Sequence, residues 1–137
     1  MSMELYFLAL TAIMTAFFWL PYALNRILSR GLMTAMGNPQ AGDVNPYVRG
    51  LAPWAERAYF AHVNAVENLV VFATLVLTAN AAAVSSGMTV LACQVYFFAR
   101  LLHYIVYAAG IPVLRTLLYA ASWLATLVMG FAIVGLI

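Results

Sequence analysis

Long apolar runs separated by short polar stretches organise the chain. Leu5 to Leu24 carries twenty residues without a charge, about 30 Å of helix, which matches the hydrocarbon thickness of a bilayer. Pro21, near the end of that run, is expected to kink or terminate the helix, because proline lacks an N–H and its ring crowds the preceding turn. Asn25, Arg26 and Arg30 then form a polar exit. From Gly31 to Pro53 the residues turn to Gly, Pro, Asn and Asp, with turn signals at Gly37-Asn38-Pro39 and Asn45-Pro46 and charges at Asp43 and Arg49. This stretch is expected to be a loop outside the lipid.

Trp54 to Val84 has no glycine or proline, and a helix of that length, about 46 Å, exceeds the bilayer core. Its first turns, with Glu56, Arg57, His62, Asn64, Glu67 and Asn68, must protrude or line a polar cavity, and Leu69 to Val84 lies at lipid depth. Ser85-Ser86-Gly87 suits an antiparallel helical hairpin. Met88 to Ala109 is the third span, Gly110-Ile111-Pro112 breaks it, and Val113 to Ile137 is the fourth. The expected fold is all-α, an integral membrane four-helix bundle forming a single domain over 1–137, with no internal repeat.

Composition sharpens this picture. Of 137 residues, 66% are hydrophobic and only 7% charged, which excludes an ordinary soluble domain. All six basic residues are arginine, with no lysine, so a nucleic-acid surface is not expected. The first run follows Glu4 rather than a basic region and ends without a small-residue cleavage pattern, so it reads as a span and not a signal peptide. The lone Cys93 sits in an apolar run, cannot form an intrachain disulfide, and is expected to be a buried, inert thiol. With four spans, the polar loops after spans one and three share a side. All six arginines lie there or on adjoining helix ends, so that side is expected to be cytoplasmic and both termini non-cytoplasmic.

The candidate chemistry concentrates between Phe98 and Tyr119. Arg100, His103, Tyr104 and Tyr107 stand at i, i+3, i+4 and i+7, one stripe of a helix. An ionisable group at bilayer depth costs at least a few kcal/mol unless it is paired or faces a cavity, which marks the stripe as a candidate site. Asn64 and Glu67, at i and i+3, share a face of the second helix, and Glu67 is the expected countercharge for Arg100. Arginines with a glutamate, an asparagine, a histidine and tyrosines suit a small anion that also carries an ammonium, a profile glutathione has. Its thiol would be acidified near Arg115 and Thr116, since positive charge stabilises the nucleophilic thiolate.

These residues resemble a family, the membrane-associated proteins in eicosanoid and glutathione metabolism (MAPEG), which includes the microsomal glutathione transferases. Glu56 to Phe72, E-R-A-Y-F-A-H-V-N-A-V-E-N-L-V-V-F, is similar to its stretch ending in A-H-x-N-x-x-E-N. Arg100, His103, Tyr107, Pro112, Arg115, Thr116 and Tyr119 follow its R-x-x-H-x-x-x-Y, turn, Pro, R-[ST]-x-x-Y segment, and Asn38-Pro39-Gln40 resembles its Asn-Pro-acidic loop. The resemblance implies a homotrimer of four-helix protomers with glutathione bound near the cytoplasmic side between subunits. It implies Arg115 and Thr116 as the catalytic residues, and Arg30, Asn64, Glu67, Arg100, His103, Tyr107 and Tyr119 as glutathione contacts. The chain departs from the pattern at Tyr59 and Phe60, where one or two arginines are usual, at Thr34 in place of a basic residue, and at Gln40 in place of the loop acid.

Each signal has a plainer reading. Arg100 with Glu67 could be a structural ion pair that fixes helix register, and Arg115 could snorkel to headgroups. His62 reads as a capping or packing residue, the tyrosines serve equally as an interfacial belt, and Trp19, Trp54 and Trp123 read as belt anchors. No cluster has metal-ligand spacing, so no metal is expected. The leading expectation is a glutathione transferase or peroxidase acting on lipophilic electrophiles or hydroperoxides, in a bacterial inner membrane or a microsomal membrane. The rival is a non-enzymatic member that binds lipid or assists a membrane protein partner, which the departures at Tyr59 and Phe60 favour.

Overall fold

The computed structural model describes residues 1–38, 42 and 45–137. The described residues fold into helices only: α1 (Met3–Phe17), α2 (Leu20–Arg30), α3 (Leu32–Ala35), α4 (Pro53–Ala81), α5 (Gly87–Ala109) and α6 (Pro112–Ile133). Four helical segments are long and apolar enough to cross a membrane, α1 with α2 counting as one. Large apolar side chains such as Val70, Leu91, Leu102, Ile105 and Leu117 point outward, as expected where lipid is the solvent.

The first span departs from one continuous helix. It breaks at Phe18 and Trp19, and Pro21 sits in the first turn of α2. Proline withholds the N–H that the carbonyl four residues back would accept, so the interruption falls upstream of the proline itself. Gly31, with φ +79°, ends α2 and leads into the one-turn α3 within a region expected to be loop. Of that loop, Pro39, Gln40 and Asp43 lie outside the described residues.

Glycine and proline set the α5–α6 corner as expected. Gly110 adopts φ +81°, its N–H and that of Ile111 cap the last carbonyls of α5, and Pro112 starts α6. A Cβ at Gly110 would lie 3.2 Å from Arg57 Cζ. Arg57 reaches over from α4 and donates from Nε to the Ala108 carbonyl at 2.9 Å, closing that end of α5. At the opposite end, Ser86 and Thr89 form a reciprocal cap on α5. Glu4, only 4% exposed, accepts hydrogen bonds there from Thr89 Oγ1 (2.7 Å) and Ser85 Oγ (2.8 Å), tying the start of α1 to the α4–α5 turn.

α5 is the central helix: half of its most apolar stretch is buried, against 17 to 22% for the other spans. α4 and α5 pack together and each touches both α1 and α6. The line Ala55, Ala58, Ala61 and Ala65 on α4 is buried, and such small side chains allow close helix approach where no hydrophobic effect operates between helices. Two cores result. One, around Phe72, Val76, Cys93, Tyr96 and Met129, joins all four spans; the other, around Phe18, Ala58, Ala61, Ala65 and Tyr104, sits at the arginine-bearing end.

Candidate functional site

Between these cores α5 turns a polar stripe inward. Arg100 is 2% exposed, and its Nη2 donates to Asn64 Oδ1 at 2.8 Å. Its Nε and Nη1 are buried without a hydrogen-bond partner. Asn64 is held in turn by Asn68, whose Nδ2 donates to the Asn64 carbonyl at 2.8 Å. Glu67 does not take the expected role: it is exposed on the protomer, and among the described residues no ion pair joins it to Arg100. Three residues advance a helix by about 300°, so Glu67 stands about 60° from Asn64, and that rotation carries it past the groove.

His103 lies one turn further along α5, buried, with Nδ1 unpartnered. Its ring meets Tyr107 edge-on with centroids 5.5 Å apart and leans against Tyr119 of α6 at 6.3 Å. Arg115 closes the group, its Cζ 4.6 Å from the centre of the Tyr107 ring, a cation–π contact. Arg100, His103, Tyr107, Arg115 and Tyr119 therefore form one contiguous cluster on α5 and α6, joined to α4 through Asn64. Thr116 is exposed and its hydroxyl donates to the Pro112 carbonyl at 3.0 Å. Arg30 sits elsewhere in the protomer, packed over Gly50, where a Cβ would lie 2.7 Å from Arg30 Nε.

Tyr104 leaves the expected stripe. It stacks on Phe18 with centroids 4.0 Å apart and donates its hydroxyl to the Phe18 carbonyl at 2.8 Å, at the break in the first span. Tyr96 takes its place. The residue is 1% exposed, stacks on Phe72 at 3.7 Å, and its buried hydroxyl has no partner. Counting from Tyr96, the positions 96, 100, 103 and 107 fall at i, i+4, i+7 and i+11, again one face. That spacing is present in the sequence, although Tyr96 is not among the expected site residues. His62 shares a 2.8 Å hydrogen bond between Nδ1 and the Tyr22 hydroxyl, a packing role. Among the described residues no group of three or more His, Cys, Asp or Glu side chains could hold a metal.

A chain whose described elements are all helices, four spans of them membrane-capable, with a polar cluster enclosed near one end, is an integral, multi-pass membrane protein. The model of the MAPEG family matches residues 5–135, nearly the whole chain, and the protein belongs to that family of membrane proteins of eicosanoid and glutathione metabolism. No individual curated protein and no solved structure matches the chain.

Proposed function

We propose that the protein is a membrane-bound glutathione transferase or peroxidase that acts on lipophilic electrophiles or hydroperoxides. The observation that carries this reading is the set of orphaned polar atoms on α5: Arg100 Nε and Nη1, with the Tyr96 hydroxyl and His103 Nδ1 beside them, are buried and unpartnered among the described residues. Leaving a buried polar group unsatisfied costs about 1–3 kcal/mol, and more when it is charged. A ligand rich in carboxylate and amide oxygens relieves that cost. Arg100 and Asn64 would hold such oxygens, with His103, Tyr107 and Tyr119 beside them. Arg115 would lie nearest the sulfur, stabilising the thiolate, and Thr116 would donate to it after leaving the Pro112 carbonyl.

Bound glutathione supplies the nucleophile: its sulfur bonds to an electrophilic carbon as the leaving group departs, or is oxidised as a hydroperoxide is reduced to the alcohol. Glu67 and Arg30 complete the site only if a second protomer brings them to it. Glu67 is a charged residue exposed on a membrane helix, which supports assembly as a homotrimer with glutathione between neighbours, Glu67 receiving the ammonium and Arg30 a carboxylate. The arginine-rich end is assigned to the cytoplasmic side and both termini to the other, in an inner or microsomal membrane.

A second reading, a non-enzymatic member that binds lipid or assists a membrane protein, is favoured by Tyr59 and Phe60. They pack against each other at 5.4 Å where the family carries cations. Conjugation of glutathione to 1-chloro-2,4-dinitrobenzene by the purified oligomer separates the two. Turnover lost in Arg115→Ala and retained in Arg49→Ala supports the enzyme; no turnover and no glutathione affinity up to the millimolar range discards it.

A further inference from the structure

A second cluster at the arginine-bearing end shares no residue with the proposed glutathione site. Trp19, capping the start of α2, and Tyr22 and Arg26 on it stand at i, i+3 and i+7, one face. With Met36, Tyr47 and Tyr59 they line a pocket of about 350 Å³ between α2, the following loop and α4. The tyrosines form a continuous wall: Tyr47 stacks on Tyr59 with centroids 6.0 Å apart and an interplanar angle of 11°, and Tyr22 meets Tyr59 edge-on at 5.5 Å. Into this wall the chain places a cation. Arg26 Nε and Nη2 are buried and have no hydrogen-bond partner among the described residues. Among the described residues the cation over an aromatic ring is Arg115, not Arg26.

We infer that this pocket binds an amphiphilic phosphate, with the oxyanion on the Arg26 guanidinium and its apolar body against Trp19, Tyr47 and Tyr59. Nε and Nη2 have no accessible surface in the unliganded protein, so binding turns the guanidinium toward the pocket; its charge-assisted bonds to phosphate oxygens are roughly twice as strong as neutral ones. The aromatic wall explains why the ligand is not a bare anion, since flat apolar faces gain from burying a ring or an acyl segment. Arg26 stands where the first span leaves the apolar run, and Trp19 is 48% exposed beside it. That level brings lipid phosphates within reach, and a soluble aromatic phosphate presents the same chemistry to Arg26.

The test uses the full chain in neutral detergent with Trp54→Phe and Trp123→Phe, which leaves Trp19 as the reporter among the three tryptophans. Its emission is titrated with dihexanoyl phosphatidylglycerol, phenyl phosphate and inorganic phosphate. Saturation by the lipid alone assigns the source to a headgroup, and saturation by phenyl phosphate alone to a soluble ligand; either supports the inference, as do both together. Arg26→Gln is expected to weaken binding roughly tenfold or more, Arg26→Lys to recover part of it, and Tyr47→Ala, at an exposed ring, to weaken phenyl phosphate without unfolding the chain. No saturation by either amphiphile overturns the inference. So does affinity unchanged in both Arg26→Gln and Tyr47→Ala, or inorganic phosphate binding as tightly as the others. Excess glutathione leaves the titration unaltered; competition would mean one shared site and would also overturn it.

Discussion

Replacing Arg100 and Asn64 separately and together tests whether the buried guanidinium serves a ligand or the fold. In the protomer Arg100 makes one side-chain hydrogen bond, Nη2 to Asn64 Oδ1 at 2.8 Å, and leaves Nε and Nη1 unsatisfied at 2% exposure. Arg100→Met removes the charge and both orphans while keeping an apolar stem of similar length. The unliganded protein is therefore expected to be no less stable than the parent, and up to about 2 kcal/mol more stable, as when buried ionic groups are exchanged for packed apolar ones. Asn64→Ala leaves the guanidinium with no partner and is expected to cost about 2 kcal/mol, the range for a hydrogen bond to a buried charge. In the Arg100→Met background the same change should cost less, because the charge that needed Asn64 has gone. Thermal unfolding in detergent followed by circular dichroism, with and without glutathione, reads both quantities. Glutathione should raise the midpoint of the parent and of neither variant. Arg100→Met destabilising by more than about 3 kcal/mol, with stabilisation by glutathione intact, would refute the reasoning and make the arginine a structural group.

The remaining expectations concern the frame around the site. Gly110→Ala should destabilise by about 1–2 kcal/mol, since φ +81° is strained for any Cβ and Arg57 would have to give way; thermal unfolding reads the loss. Glu4→Ala should lose about 1–3 kcal/mol, because the Ser85 and Thr89 hydroxyls lose the carboxylate they donate to; Glu4→Gln, which keeps an acceptor, should lose less in the same measurement. Cross-linking in native membranes should give a ladder ending at three times the 15.0 kDa chain, and a ladder ending at the monomer would remove the intersubunit part of the proposal.

The spans were legible because apolar run length and the glycine and proline breaks are local properties. Gly110-Ile111-Pro112 and the Ser85-Ser86-Gly87 turn fall where their chemistry requires. The break at Phe18 and Trp19 was harder to place, since a proline disturbs carbonyls upstream of itself. Side-chain pairing across helices was less legible still. Asn64 and Glu67 are about 60° apart on α4, and sequence spacing alone could not decide which of them enters the groove beside Arg100. Tyr104 left the expected stripe for a similar reason: it was drawn to the Phe18 carbonyl by the break in the first span, a tertiary contact that no periodicity reports. Arg26 read as part of a polar exit, and only the folding of Tyr47 and Tyr59 around α2 turned it into a pocket residue.

Equilibrium binding of radiolabelled glutathione to the full-length protein in lipid nanodiscs tests the central proposal most directly. One saturable class of sites at or below the millimolar range is expected, lost in Arg100→Met and Arg115→Ala and kept in Arg26→Gln. Linear, unsaturable uptake in the parent protein, or affinity unaltered by Arg100→Met and Arg115→Ala, would contradict it.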